Sequence, residues 1–208
     1  MILIGQYDSP FVRRVAIAPH LYGIGYEHRP WSTFGDADRI AAFNPLRRVP
    51  TLVLDNGEAL LESGAILDYL DELVGPSRAM IAGNGDLRRH ALQICALATG
   101  LADKSVSLVY ERVLHQATSE QWIARCRAQI SDVLAALEVS RAGRRSQFWF
   151  GDDIGHADIA VACALRFTWE AHPGLFDEDR WPALAAHTGT CDGLEVFREI
   201  AQPFLPPA

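Results

Sequence analysis

The sequence predicts a mixed α/β layer followed by an all-helical bundle. Short branched apolar segments alternate with helical periodicities over residues 1–75. An Asn-Gly pair at 56–57 separates two apolar segments, which is a strong signal for a β-hairpin. Beyond residue 86 strand-like alternation disappears, and apolar residues recur every three or four positions over long stretches. We therefore expect two domains, at residues 1–75 and 87–208, joined by a turn-rich linker at 76–86.

Each element of the first domain has its own local signal. Ser9 can cap the first helix and Pro10 can open it, because a serine oxygen accepts a backbone N–H and proline has none to satisfy. Pro19 is expected to shorten or kink the last turn of that helix. Asn56-Gly57 is expected to form a type I′ turn, whose two central residues need positive φ. Strands are expected at residues 2–6, 26–30 and on both sides of this turn within 51–60, and helices at 10–22, 36–43 and 63–73.

The order strand, helix, strand, helix, strand, strand, helix implies a single mixed sheet in the first domain. A strand-helix-strand unit connects parallel neighbours, whereas the two strands of a hairpin are antiparallel. The second domain is expected to contain helices near residues 87–108, 122–137, 155–170, 182–188 and 193–200.

Composition and charge narrow the classes of partner. The chain has 208 residues and a formal net charge of −7, and its 19 basic residues form no tract. Nucleic acids and anionic membranes both require clustered Lys and Arg, so neither is expected as a partner. No apolar run reaches the roughly 18 to 20 residues of a membrane helix, and no charged leader precedes the first strand. We expect a cytoplasmic protein that binds small molecules or other proteins.

The cysteines and histidines show no metal-ligand spacing. Cys95, Cys126, Cys163 and Cys191 lie far apart and form no C-x-x-C pair, which favours a reducing compartment and structural roles. Gly23-Ile24-Gly25 lacks the third glycine of a dinucleotide fingerprint. We therefore expect neither a metal nor a nucleotide cofactor.

Three motifs occur in a characteristic order: 9-SPFVRRV-15, 44-NPLRRVPTL-52 and 62-ESGAI-66, followed in the helical half by 151-GDDIGHADIA-160. With these motifs the chain resembles the soluble, cytosolic-type bacterial glutathione S-transferases that carry a serine-type N-terminal motif, and the resemblance covers essentially the whole chain. It implies a thioredoxin-like N-terminal domain, an all-α C-terminal domain, homodimerisation, glutathione as cosubstrate and a role in detoxification.

The resemblance assigns the catalytic role to Ser9. A free thiol has a pKa near ~8.5, yet the thiolate is the nucleophile, so the anion must be favoured by its site. A helix N-terminus carries about half a positive charge, and a hydroxyl there can donate a hydrogen bond to sulfur. Two alternatives remain open: Ser9 only caps the helix, or Tyr7 donates instead. Since serine cannot form a mixed disulfide, conjugation is favoured over reductase chemistry.

The same resemblance implies the residues that hold glutathione. Val49-Pro50 matches the family's cis-proline, whose turn directs the Val49 backbone toward the cysteinyl part of the tripeptide. Ser63 and the N-terminus of its helix suit the γ-glutamyl carboxylate, and Glu62 could accept from the γ-glutamyl ammonium. Arg48 occupies the place of a basic residue that contacts the glycine carboxylate. Each assignment has a plainer alternative. Pro50 could follow an ordinary trans bond, Ser63 could only cap its helix beside a solvated Glu62, and Arg48 could be a surface arginine.

Several further residues carry weaker expectations. The electrophile pocket is expected between the domains, lined by Phe11, Phe34, Tyr110 and Arg112. Arg13 lies four residues after Ser9 and could lend positive potential to the thiolate; the alternative is that Arg13 is simply exposed to solvent.

Two acidic residues are expected to lie outside the chemistry. Asp158 is expected to cap the sixth helix, with Gly155 in the position where the family usually has serine or threonine, and not to act as a catalytic acid. Asp8 is expected to point away from the sulfur, because a carboxylate facing it would disfavour a second negative charge.

The leading hypothesis is therefore a glutathione transferase whose thiolate attacks a small hydrophobic electrophile. One alternative is a glutathione-binding or regulatory protein that keeps the fold without turnover. Another is a glutathione-dependent isomerase similar to the maleylacetoacetate isomerases, although the serine-cysteine helix start associated with that class is missing here.

Overall fold

The computed structural model describes residues 1–207 and contains one mixed sheet. Its strands are β1 (Ile2–Ile4), β2 (Glu27–Arg29), β3 (Thr51–Val53) and β4 (Ala59–Leu61), in the spatial order β2-β1-β3-β4. The β1 and β2 strands are parallel, whereas β3 runs antiparallel to both β1 and β4. The predicted fold class, a thioredoxin-like βαβαββα unit followed by helices only, is confirmed.

The described residues, 1–207, form eight helices in the predicted order. They are α1 (Pro10–Tyr22), α2 (Ala37–Ala41), α3 (Ser63–Val74), α4 (Gly85–Leu114), α5 (Glu120–Ala142), α6 (His156–Ala171), α7 (Pro182–Asp192) and α8 (Glu195–Glu199). Pro19 lies inside α1 but does not end it; the helix ends at Gly23, whose φ of 69° is left-handed. The α4 helix is longer at both ends than its apolar periodicity predicted.

The turn between β3 and β4 differs from the expected type. Leu54 N donates to Glu58 O at 2.8 Å and Gly57 N donates to Leu54 O at 2.9 Å, so three residues form the loop. Gly57 has positive φ but Asn56 does not. The hairpin was predicted correctly, but the type I′ turn was wrong. The observed turn is a three-residue hairpin loop with its left-handed residue at glycine, a common solution for antiparallel strands.

Helix α1 is the element shared by both halves of the chain. Its buried side chains join those of the sheet and α3 in one apolar cluster, which also contains Ile159 of α6 and Phe197 of α8. A second cluster lies within the helical half, where Trp149 packs among residues of α4 to α7. Because α1 is buried against both the sheet and α6, its first turn lies at the boundary between the two halves.

Asp158 stabilises the loop that leads into α6. Its Oδ1 accepts from Trp149 N at 2.7 Å and its Oδ2 accepts from Gly155 N at 2.8 Å. The carboxylate is 1% exposed and lines neither of the two cavities beside α1. As expected, Asp158 is a folding element, and the glycine at the cap position is tolerated.

Two other expectations concern membrane-spanning helices and the cysteines. Within residues 1–207, α4 is the one helix whose length and mean hydropathy would allow it to cross a bilayer, but it packs against α5 and α6. All four cysteines are buried and free, as structural cysteines are.

Candidate active site

A cleft of about 570 Å³ lies between the sheet-containing half and helices α4 and α6. It brings together most of the residues that the sequence analysis selected from distant parts of the chain. Those on its walls are Ser9, Phe11, Phe34, Arg48, Val49 and Tyr110. The Phe34 and Tyr110 rings meet edge to face with centroids 5.5 Å apart.

Ser9 is the N-cap of α1 and borders this cleft. Its Oγ accepts from Val12 N at 3.4 Å, a long contact, and its φ and ψ are extended as a cap requires. The hydroxyl proton has no acceptor among residues 1–207. Ser9 therefore combines a free O–H with the positive end of α1, which together can stabilise an anion in the cleft.

Tyr7 faces another part of the molecule. Its hydroxyl lies 2.8 Å from the Tyr26 hydroxyl, and its ring stacks on His28 with centroids 3.9 Å apart. Burial raises the pKa of the Tyr7 phenol, although the hydrogen bond with Tyr26 opposes the rise. Tyr7 lines neither of the two cavities near α1, so the geometry favours Ser9 over Tyr7.

The Val49-Pro50 peptide bond is cis, as expected, and Val49 lines the cleft. Asn44, which is 2% exposed, holds the loop from inside. Its Nδ2 donates to Arg48 O at 2.8 Å and to Thr51 Oγ1 at 3.0 Å. Asn44 entered the sequence analysis only as the first residue of the motif at 44–52. An asparagine can hold a loop in this way because its amide both donates and accepts.

A second cavity, of about 350 Å³, adjoins the first at Phe11 and contains the start of α3. Glu62 and the buried Ser63 border it, so the predicted glutathione contacts divide between two neighbouring cavities. Glu62 has a φ of 67°, an unfavourable value for a residue with a side chain, and does not cap α3 with its carboxylate. Its Oε1 lies 3.6 Å from Arg48 Nη1.

The expectation for Arg13 is wrong. Its guanidinium points away from Ser9 and donates to Ile200 O at 2.8 Å and Phe197 O at 2.7 Å, where it satisfies carbonyls at the end of α8. The adjacent Arg14 borders the second cavity, and burial lowers the pKa of its guanidinium.

The expectation for Arg112 is also wrong. Its Nη2 donates to Ala171 O at 3.2 Å, and the residue does not line the cleft. Its place is taken by Phe167 of α6 and by Phe204, whose rings meet edge to face at 5.4 Å. Phe204 belongs to the segment after α8, where no local pattern predicted a helix or strand.

Asp8 borders the same cleft as Ser9, and its carboxylate accepts a hydrogen bond there. Its Oδ2 accepts from Leu205 N at 3.3 Å, in the segment that follows α8. Burial raises the pKa of Asp8, although backbone N–H donors oppose the rise. The expectation that Asp8 lies elsewhere is therefore only partly right: it lines the cleft but is paired with the C-terminal segment.

Comparisons with known proteins agree with this architecture. Two family models match, "Glutathione S-transferase, N-terminal domain" over residues 3–78 and "Glutathione S-transferase, C-terminal domain" over residues 120–189. The uncharacterized GST-like protein YibF of Escherichia coli is 33% identical over 168 residues, covering 80% of this chain and 81% of that protein. The maleylacetoacetate isomerase of Pseudomonas aeruginosa is 30% identical and matches over 100% of both chains.

A solved structure extends the comparison to three dimensions. A glutathione S-transferase from Methylobacterium radiotolerans, in complex with glutathione sulfonate, matches with a TM-score of 0.89 and 27% identity over 100% of this chain and 98% of that chain. A thioredoxin-like sheet followed by an all-helical half is the architecture of the soluble glutathione transferases. The chain belongs to the glutathione S-transferase family.

Proposed function

We propose that the protein is a glutathione transferase in which Ser9 stabilises the thiolate of bound glutathione. The observation that carries the proposal is the Ser9 hydroxyl at the N-terminus of α1, which donates to no group within residues 1–207 and lies in the same cleft as Val49 of the cis-proline turn. Glutathione as the cosubstrate is supported by the Methylobacterium relative, which holds glutathione sulfonate. The hydroxyl and the helix dipole both favour the anionic form of sulfur, which lowers its pKa.

The tripeptide would lie along the boundary between the two cavities. The Val49 backbone pairs with the cysteinyl unit as a short strand would. Ser63 and the N-terminus of α3 receive the γ-glutamyl carboxylate, and Glu62 receives the ammonium. Arg48 receives the glycine carboxylate.

In the free protein Arg48 and Glu62 contact each other, and this contact competes with binding of the glycine carboxylate by Arg48 and of the ammonium by Glu62. The two side chains are 60% and 62% exposed, so their 3.6 Å pair is weak and easily exchanged for ligand contacts. Glutathione carries the matching charges at its two ends, so its binding can replace this pair with two separate ones.

The electrophile would occupy the part of the cleft nearest Phe11, Phe34 and Tyr110. Aromatic walls exclude water and favour a small hydrophobic substrate with a flat face. The thiolate forms a carbon–sulfur bond, and the displaced group leaves with its bonding pair, or, for an activated alkene, a proton adds to the neighbouring carbon.

An ultraviolet titration of bound glutathione, combined with turnover of a generic aryl halide, tests this proposal. Wild type should show a thiol pKa well below the free value, and Ser9→Ala should lose both the shift and most of the activity. Ser107→Ala is a matched control, because Ser107 also lines the cleft but donates to Asp103 O at 2.8 Å. An unshifted pKa in wild type would leave Ser9 as a helix cap and favour a non-catalytic glutathione-binding protein.

A glutathione-dependent isomerase is the second candidate, favoured by the full-length match to the Pseudomonas isomerase. The chemistry differs in its stoichiometry, because an isomerase returns glutathione unconsumed. Measuring free thiol before and after complete turnover of maleylacetoacetate or a related cis-enone distinguishes the two candidates.

We also propose a cytoplasmic homodimer. Helices α3 and α4 expose large apolar side chains at Leu73, Leu87 and Leu92, which a second copy would cover. Free buried cysteines suit a reducing compartment. Sedimentation equilibrium measures the association directly, and a monomer at micromolar concentration would contradict it.

A further inference from the structure

The charged residues of the 570 Å³ cleft are divided between its two sides. Arg47 and Arg48 line it from the loop before β3, beside the turn proposed to hold glutathione. Asp8 and Asp103 line it from the start of α1 and from α4, among the aromatic side chains proposed to receive the electrophile. Within residues 1–207 these four are the only ionisable acids and bases of the cleft wall other than Tyr110.

Asp103 belongs to the face of α4 that forms the cleft wall. Asp103, Val106, Ser107 and Tyr110 all line the cleft, and they recur at the three- and four-residue spacing of one helix face. Asp103 lies about two turns, or about 10 Å along the axis, before Tyr110, whose ring meets Phe34. A carboxylate therefore borders the aromatic part of the cleft.

The neighbouring cations of α4 and α6 do not reach the cleft wall. Lys104 Nζ lies 2.9 Å from Asp103 Oδ2 and 5.5 Å from the centroid of the Trp122 ring, and Lys104 is outside the cleft lining. Arg112 donates to Ala171 O, and Arg166 Nε donates to Glu170 Oε1 at 2.7 Å. Within residues 1–207 the two helices thus bring a carboxylate to this wall and no cation.

The two cations on the other side are already engaged. Arg47 Nη1 donates to Asp38 Oδ1 at 2.8 Å. Arg48 contacts Glu62 in the free protein and is proposed to bind the glycine carboxylate of glutathione in the complex. A negative group on the electrophile would therefore meet the Asp103 carboxylate without a free cation to offset it.

We propose that Asp103 is a specificity-determining residue that disfavours electrophiles with a negatively charged group and favours neutral or cationic aromatic ones. The inference rests on the proposed function, a transferase that uses glutathione. The Asp103 side chain is 50% exposed, so solvent and salt screen its charge, and an effect of roughly tenfold on kcat/KM is expected. Maleylacetoacetate, which carries two carboxylates, should therefore be a poor substrate.

Three electrophiles that differ in charge test this selection. 4-Chloro-3,5-dinitrobenzoate is an anion, the matching benzamide is neutral and the matching benzamidine is a cation, and all three groups are planar and similar in size. The thiolate forms a carbon–sulfur bond with the ring carbon of each, and chloride leaves with its bonding pair. Each kcat/KM is divided by the rate constant of the uncatalysed reaction with glutathione, which removes differences in intrinsic reactivity.

Wild type should prefer the benzamide and the benzamidine over the benzoate by roughly tenfold. Asp103→Asn should reduce this preference by about three- to tenfold, and Asp103→Lys should reduce it further. A structural change, or a change in the thiol pKa, would alter all three rates by the same factor and leave their ratios unchanged. Added salt should reduce the preference in wild type more than in Asp103→Asn.

Asp132→Asn is the matched control, because Asp132 is an exposed acid on α5 outside the cleft and its replacement changes the net charge equally. It should leave the ratios within about twofold of wild type. Equal normalised rates for the three electrophiles in wild type, or full discrimination in Asp103→Asn, would remove the role of Asp103 and leave the transferase intact. If wild type conjugates none of the three, the proposed function fails and this inference fails with it.

Discussion

His156 Nε2 lies 2.8 Å from the Asp71 carboxylate and so joins the first residue of α6 to α3 across the two halves of the chain. The Tyr22 hydroxyl at the end of α1 donates to the same oxygen, and Met80 N donates to the Tyr22 hydroxyl at 2.9 Å. One buried polar network therefore ties three helices to the segment before α4. Two members of this network, Asp71 and His156, line the second cavity.

Asp71→Asn should reduce the free energy of unfolding by about 1–3 kcal/mol, because it replaces the buried hydrogen bonds that the Asp71 carboxylate accepts from His156 and Tyr22 with weaker ones to a neutral amide. Asp68→Asn, one turn earlier on α3, removes only an exposed pair with Arg88 and should cost about 1 kcal/mol or less. Urea unfolding of both variants measures the difference. Similar losses for the two variants would mean that the network contributes little.

Tyr7→Phe should keep nearly all transferase activity and the lowered thiol pKa, because the Tyr7 hydroxyl pairs with Tyr26 and does not reach the cleft. The variant leaves Tyr26 without its partner, so a stability loss of about 1 kcal/mol is expected. A loss of activity comparable to that of Ser9→Ala would transfer the catalytic role to Tyr7.

Gly5→Ala should destabilise the protein and raise KM for glutathione. Gly5 has a φ of 131°, and an added Cβ would lie 2.5 Å from Val12 Cγ2 and 2.8 Å from Val49 Cβ. The clash must displace the cis-proline turn or the first turn of α1, at a cost of about 1–3 kcal/mol. Gly25→Ala, which meets no atom within 4 Å, is the control and should change neither quantity.

Phe204→Ala should raise KM for an aromatic electrophile by about three- to tenfold, because the edge-to-face contact with Phe167 forms part of the cleft wall. KM for glutathione should not change. Trp169→Ala truncates an exposed aromatic residue on α6 outside the cleft and should affect neither KM. An unchanged electrophile KM in Phe204→Ala would place the substrate elsewhere.

Acid should weaken the helical half through His187. Burial lowers the pKa of His187 to about 4, with a contribution from Arg141 and opposition from Asp158. The unfolded chain protonates this residue near pH ~6.5 while the folded protein keeps it neutral, so its stabilisation is complete above that pH and decreases toward pH ~4. The slope is at most about 1.4 kcal/mol per pH unit.

Urea unfolding at about pH 7.5 and about pH 5.5 tests this dependence in the upper part of the window. Burial also raises the pKa of Asp158, which acts in the opposite direction nearer pH 4. Wild type should lose about 1 kcal/mol more than His187→Gln between these two conditions. The control His90→Gln, at an exposed histidine, should behave as wild type. Equal pH slopes for wild type and His187→Gln would exclude His187 as the cause.

Much of the fold could be predicted because its signals are local. Ser9-Pro10 and Gly57 act through backbone angles and N–H groups within a few residues, so the start of α1 and the hairpin followed from the sequence. The type of that hairpin turn could not be predicted, because an asparagine before glycine tolerates positive φ but does not require it. The site residues Val49 and Ser63 were selected by resemblance to a family and not by local physics.

What the sequence by itself determined is the order of elements, the helix cap at Ser9 and the motifs that border the cleft. Only the tertiary structure decided that Arg13 points to α8 and Arg14 to Ser63, that Tyr7 pairs with Tyr26, and that Phe204 replaces Arg112 in the cleft. The physical reason is the separation of the partners. Arg13 and Phe197 are 184 residues apart in sequence, so no local pattern records their contact.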